Sequence, residues 1–251
     1  MKSFRLPLLA LVFTLLLLTV AHATVSEMIK RTYPITPDGV ISLSNISGPV
    51  DITAWDKAEV SLEAEKIASS EDGLALIAVN IDMTPSSLTI KTVQKKKWKF
   101  WGLFNNSEVR YKLKVPANAR LEKIDVVNSD ITVRGVRGRT DLDTVNGRIK
   151  ASGLANAGRF DTINGSISVE YDRLPASGRI SLDTVNGSCT LRLPKDANAR
   201  VDADTLNGHV SCDFPITLEK SGRRHLRGMI GRGDVEIRLD SVNGSLSIES
   251  R

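Results

Sequence analysis

The chain has 251 residues, 41% of them hydrophobic but only 5% aromatic, with 34 Lys and Arg set against 29 Asp and Glu. A formal charge of +5 is too mild to mark a nucleic-acid-binding protein. Scarce rings, many Asn-Gly pairs and a Val, Ile and Leu majority suit a core carried on many short strands.

At the N-terminus Lys2 and Arg5 precede an apolar run from Leu6 to Val20 and then Ala21-His22-Ala23. A basic start, a short apolar stretch and an A-x-A site predict a secretory signal peptide over residues 1–23, cleaved after Ala23. The run of about 15 residues is short of the ~20 that span a bilayer. No Cys follows it to carry a lipid anchor, and no second long apolar segment occurs, so no transmembrane segment is expected in the mature chain, 24–251. That chain carries a net charge of +3. Its expected place is outside the cytoplasm, in the periplasm, at the cell surface or outside the cell, where nucleic acid is not a partner. It reads as a single domain, with an irregular β-rich front half over 24–120 and regular repeats over 121–251.

The first trace of a repeat is "ISLSNISGPVDI" at 41–52, where Ser47-Gly48 stands between alternating apolar residues. Residues 54–119 lose that period and alternate as longer strands, which predicts a β-rich cap over the open end of the repeats. Within them lies "KKKWKFWGLF" at 95–104. Lys95, Lys96, Lys97 and Lys99 interleave with Trp98, Phe100 and Trp101, a pattern suited to an anionic lipid layer or an acidic glycan. The same stretch also fits a hairpin whose rings cover the end of the stack while its lysines are solvated.

From Asn128 onward the repeat is explicit. "DTVNG" is spelled at 143–147 and 183–187, with near copies at 161–165, 204–208 and 240–244. With Asn as position zero, apolar residues recur at −6, −4, −1, +3, +5 and +7, as in Ile180, Leu182, Val185, Cys189, Leu191 and Leu193. The Asn positions 128, 146, 164, 186 and 207 are 18, 18, 22 and 21 residues apart, and Asn243 follows after 36. Such repeats predict an all-β parallel solenoid, β-helix-like with right-handed coiling favoured, in rungs of about 18–22 residues. The rival is a set of Asn-Gly hairpins. Hairpins would put position −1 on the solvated face, and its constant Ile, Val or Leu predicts a bend with a buried inside instead.

On this reading Asp143, Asp161, Asp183, Asp204 and Asp240 start each corner as Asx-turns. Asn146, Asn164, Asn186, Asn207 and Asn243 with Gly147, Gly165, Gly187, Gly208 and Gly244 supply the positive φ of a tight bend. Stacked rungs would bring the Asn amides ~4.8 Å apart, close enough for a ladder. The aspartates invite a calcium reading, but turn formation accounts for them without a metal, and no cofactor is expected. Cys189 and Cys212 sit at +3 and +5 of neighbouring copies, a potential disulfide only if the rungs slip, since register alone sets them roughly 8 Å apart. Arg232-Gly233-Asp234 lacks the context of a recognition motif.

The D-T-V-N-G phrases, with the leads Val115-Pro116-Ala117-Asn118-Ala119 and Leu193-Pro194-Lys195-Asp196-Ala197-Asn198-Ala199, resemble the bacterial putative-adhesin family of β-strand-repeat proteins. That family is a domain of unknown function related to adhesin head domains. The resemblance covers most of the mature chain, strongest from about 115 to 251, and implies the repeat fold without catalytic residues. The expected function is a non-enzymatic binding, adhesin-like or scaffolding module at the cell envelope. Its partner would be an anionic lipid, a glycan or a protein, and the solenoid ends could join copies into oligomers. The alternatives are a self-assembling structural protein and a carbohydrate-active enzyme on a β-helix. The enzyme has only His209 and His225 as histidines after signal removal, and no hydrolase or nucleotide motif.

Overall fold

The computed structural model describes residues 24–95 and 107–251. Residues 1–23, over which a signal peptide is expected, and most of the basic-aromatic stretch, including Lys96, Lys97, Trp98, Lys99, Phe100 and Trp101, lie outside the described residues.

The front half gives β1 (Val25–Pro34), β2 (Val40–Ser47), β3 (Val50–Trp55), β4 (Glu59–Ala68), a short helix α1 (Glu71–Ala75), β5 (Ile77–Thr84), β6 (Ser87–Gln94) and β7 (Glu108–Pro116). The repeats follow as strand pairs. These are β8 (Arg120–Asn128) with β9 (Ile131–Arg134), β10 (Thr140–Asn146) with β11 (Ile149–Leu154), and β12 (Gly158–Asn164) with β13 (Ile167–Tyr171). Next come β14 (Arg179–Asn186) with β15 (Cys189–Leu193) and β16 (Ala199–Asn207) with β17 (Val210–Cys212). A hairpin of β18 (Thr217–Gly222) and β19 (His225–Ile230) precedes the last pair, β20 (Val235–Asn243) and β21 (Leu246–Ser250).

Each pair bends at its motif, so its two strands enter different sheets and bond to other rungs rather than to each other. One sheet runs β18-β19-β16-β20-β14-β12-β10-β8-β2-β6-β5 and the other β1-β4-β7-β3-β9-β11-β13-β15-β21-β17. Rung against rung the strands are parallel and the motifs are in register: Asp143 faces Asp161, Asp161 faces Asp183, and Asn164 faces Asn186. This is a β-solenoid and not a row of hairpins. Antiparallel strands close its ends, β4 and β1 beside β7, β5 beside β6, and β18–β19 beside β16. Added strands of this kind cover edges that would otherwise pair with another chain.

The stacking order departs from the chain order at both ends. The strands β6 and β7 form a rung of their own, parallel to β2 and β3 and lying outside them. Part of the predicted cap is therefore an eighth rung, hidden because residues 95–107 stand where its corner motif would be. At the other end β20 and β21 lie between the rungs of β14–β15 and β16–β17. This corrects the cysteine geometry: β21 separates β15 from β17, so Cys189 and Cys212 are two rungs apart and both are free thiols.

The inward pattern is also revised. In β14–β15 the buried residues are Ile180, Leu182, Thr184, Cys189, Leu191 and Leu193, so strict alternation runs through position −2, not −1. Val127, Ile163, Val185, Leu206 and Val242, all at −1, are 40–60% exposed. Position −1 therefore does not separate the solenoid from a row of hairpins; the parallel, in-register pairing of the rungs does.

Position −2 is a buried hydroxyl because it has a partner. Thr162 Oγ1 donates to Gly147 O and Thr184 Oγ1 to Gly165 O, each at 3.1 Å, and Ser241 and Thr205 do the same to Gly187 O and Gly244 O. The Asn side chains form a one-way ladder in which each Nδ2 donates to the Oδ1 of the rung before it, Asn146 to Asn128 and onward through Asn164, Asn186, Asn243 and Asn207, at 2.8–2.9 Å. The motif glycines are not in the left-handed region; of the corner glycines only Gly48 has a positive φ, +105°. They are glycine because the next corner comes too close. A Cβ on Gly165 would lie 1.8 Å from Gly147 O, and one on Gly187 1.9 Å from Gly165 O.

Two substitutions separate these terms in chemical denaturation. Gly165→Ala should destabilise the protein by at least ~3 kcal/mol, because backbone and not a flexible side chain must yield. Thr184→Val keeps the shape but leaves Gly165 O without its hydroxyl, and should cost about 1–2 kcal/mol. Removing residues 231–251 takes out an internal rung, so circular dichroism should report loss of β-structure well beyond 21 residues' worth, with aggregation.

Candidate functional site

Because −2 points inward, −3 and −1 both point outward from the first sheet. In spatial order the rungs present Asp125 and Val127, Asp143 and Val145, Asp161 and Ile163, Asp183 and Val185, Asp240 and Val242, then Asp204 and Leu206. A file of carboxylates therefore runs beside a file of apolar side chains along the stack. From Asp143 to Leu206 the two files, with the Thr and Ser residues between them, line a trough of about 570 Å³. Lone exposed apolar side chains are ordinary, but a contiguous apolar file on a fixed backbone is a candidate contact surface.

The carboxylates do not start the turns as Asx caps: among the described residues no backbone N–H donates to Asp143, Asp161, Asp183, Asp204 or Asp240. Some are held by arginines on the same face. Arg159 pairs with Asp161 and reaches Asp143 at 4.0 Å, and Arg238 Nε meets Asp240 Oδ2 at 2.5 Å. Asp161 Oδ1 has no hydrogen-bond partner. Asp183 and Asp204 have no ion pair among the described residues.

Partial burial, with like charges stacked at rung spacing, raises these carboxylates. Burial, then repulsion from Asp161, pushes Asp143 up to about 6. Burial, then Asp161 and Asp240, pushes Asp183 up to about 7. Burial raises Asp161 as well, against the pull of Arg159. Among the described residues no group of three or more His, Cys, Asp or Glu side chains converges as a ligand set for a metal.

The other candidates lie apart from the trough. Lys95 closes β6, its N–H donating to Leu76 O at 2.9 Å, and Gln94 Nε2 donates to Ser107 Oγ at 3.1 Å across the mouth of the basic-aromatic stretch. That stretch therefore leaves from the corner edge of the outermost complete rung. In the Arg-Gly-Asp turn, Asp234 is bound by Arg232 at 2.8 Å. Sequence reasoning named the aspartates but missed that they and the −1 file share one face. The signal was present in the −2 Thr and Ser, whose constancy in a strand of period two marks an inward position.

The sign of the pH effect follows from the raised carboxylates. Asp143 and Asp183 bind protons more tightly folded than unfolded, so the stability they confer is full below the unfolded value near 4 and is lost as pH rises through about 6 to 7. Thermal unfolding should show a Tm several degrees higher at pH 5 than at pH 8. Asp183→Asn should raise Tm at pH 8 and flatten the slope; an unchanged slope would remove Asp183 from the explanation.

No curated protein matches the chain in sequence. Among solved structures, a putative cell adhesion protein from Clostridium sporogenes superposes with a TM-score of 0.52 at 14% identity, over 91% of this chain and 100% of that one. A putative adhesin from Bacteroides fragilis, 12% identical over 89% and 97% of the two chains, gives 0.38. A putative lipid binding protein from Parabacteroides distasonis, 11% identical over 88% and 96%, gives 0.28. At such identities the first likeness is one of fold. The sequence profile named Toastrack DUF4097 matches residues 34–249, nearly the whole of the described solenoid. The chain belongs to the Toastrack DUF4097 family.

Proposed function

We propose that the protein is an exported, non-enzymatic binding and scaffolding module of the bacterial cell envelope, and that the trough is its contact surface. The observation that carries this reading is the −1 file: Val127, Ile163, Val185, Val242 and Leu206 are exposed in one line, with the half-buried Val145 between the first two, beside the corners joined by the Asn ladder. A half-exposed side chain that is apolar at this place in every rung that carries the corner motif is accounted for by a partner that covers it. The carboxylates beside it stand in one file and do not face one another across a cleft, which favours recognition over acid-base chemistry. Export is supported by the basic, apolar and A-x-A succession at the N-terminus. Among the described residues no helix is long and apolar enough to cross a membrane. The likeness to a protein called a cell adhesion protein agrees with a binding role without naming a ligand.

Co-sedimentation of residues 24–251 with anionic vesicles, with cell-wall glycan and with total envelope protein tests the reading, beside Ile163→Ser/Val185→Ser and Trp98→Ala/Trp101→Ala variants. Retention on one of these materials, reduced about tenfold by the trough variant, is expected. Loss only in the Trp variant would move the contact surface to the 95–104 segment. Failure of the wild type to pellet with any of the three would overturn the envelope role.

A further inference from the structure

The trough has an unusual demand on its occupant: cationic on one side and apolar on the other, with a narrow spacing between. Positions −3 and −1 are two residues apart on a strand, so the carboxylate and apolar files run ~7 Å apart along the stack. An extended segment laid lengthwise between them would turn successive side chains alternately toward one file and the other. The segment must offer Lys or Arg at every second residue and large apolar groups at the residues between.

This chain contains such a segment. In "KKKWKFWGLF" at 95–104, Lys97 and Lys99 alternate with Trp98 and Phe100. Were such a sequence laid extended along a trough, its two lysines would meet the carboxylate file while its two rings met Ile163, Val185 and Val242. Of the carboxylates there, Asp183 and Asp204 lack an ion pair among the described residues, so they are the ones a lysine would complete. Leu206, 60% exposed, is the barest member of the apolar file.

The segment cannot reach the middle of its own trough. It leaves and re-enters the fold between Lys95 and Ser107, at the corner edge of the β6–β7 rung. Eleven residues that go out and return extend ~18 Å at most. The order β6-β2-β8-β10-β12-β14 puts Asp183 five rungs away, or ~24 Å. An occupant of this kind at Asp183 and Asp204 must come from a second molecule.

Resting on the reading of the trough as a contact surface, we propose that its partner is the Lys-Trp segment of a second copy of this chain, in a reciprocal pair. Two stacks lie flank to flank and antiparallel, each inserting residues 97–100 between the carboxylate and apolar files of the other. Such a contact is self-complementary and closes as a two-fold dimer, whereas a one-way contact would propagate into fibres. The fold keeps the residues that flank the segment, Lys95 and Ser107, at one end of the stack and the trough centred toward the other, as an antiparallel pairing requires.

A charge exchange tests this with no envelope material present. Light scattering of the wild-type chain, residues 24–251, should show a dimer that weakens about tenfold on moving from low to high salt. Lys97→Glu/Lys99→Glu should be monomeric, and Asp183→Lys/Asp204→Lys should be monomeric, while an equimolar mixture of the two variants should form a heterodimer, since each segment then meets an opposite file. Asp204→Lys alone, at an exposed position, guards against a folding defect in the double variant and should weaken the dimer by itself. A wild type that stays monomeric to high concentration would overturn the proposal, as would a dimer that both charge-reversed variants retain. A monomer that still binds envelope material through the trough would refute this partner but leave the contact surface standing, and a dimer that binds no such material would do the reverse.

Discussion

The structure depends on how closely one corner sits on the next. At each full repeat three bonds cross between neighbouring corners: a Gly N–H to an Asn carbonyl, a Thr or Ser hydroxyl to a Gly carbonyl, and an Asn amide to an Asn amide. They form only because nothing larger than a hydrogen projects from the glycine toward the rung it rests on. The buried hydroxyl, which would be a costly passenger in an apolar core, becomes the group that satisfies the carbonyl the glycine brings near. Asp-Thr-Val-Asn-Gly is thus largely a stacking code, with Thr, Asn and Gly each meeting the adjacent rung.

That code could be read as a solenoid without being read correctly. The period, the alternation on either side of the corner and the Asn ladder were all visible in residues 128–214, because each depends on spacing that a stack must preserve. The direction of position −1 was not visible. A constant Val or Ile looks buried, and only the polar residue at −2, whose hydroxyl has a backbone partner one rung away, shows which parity faces inward. The β6–β7 rung was hidden by the stretch that replaces its corner, and the place of β20–β21 was hidden because sequence spacing says how long a connection is, not where it returns. For the same reason Cys189 and Cys212, in adjacent copies of the sequence repeat, are not in adjacent rungs.

The same regularity imposes an electrostatic cost. An in-register stack places every like group beside its copies, so aspartates that would be unremarkable on one strand repel along a file. The protein meets this in two ways. Arg159 and Arg238 lie two residues from Asp161 and Asp240 on the same face and neutralise them. Asp143 and Asp183, less well supplied, hold protons into a range where carboxylates are ordinarily ionised. The outer face is consequently less negative near neutrality than its six aspartates suggest, and a cation arriving there would release protons as it bound.

The rungs first and last in sequence, β2–β3 and β20–β21, each lie one place inside the stack. A repeat array is usually expected to lengthen or shorten at its ends with little effect on the remainder. Here the outermost rungs are continuous with chain on both sides, and the strands that would fray first in a simple array are clamped between neighbours. The array is closed in number. Duplicating or deleting a repeat near either end would not extend or trim the stack but would misplace the strand that locks it, so variation in length has room only in the sequentially stacked rungs between β8 and β15.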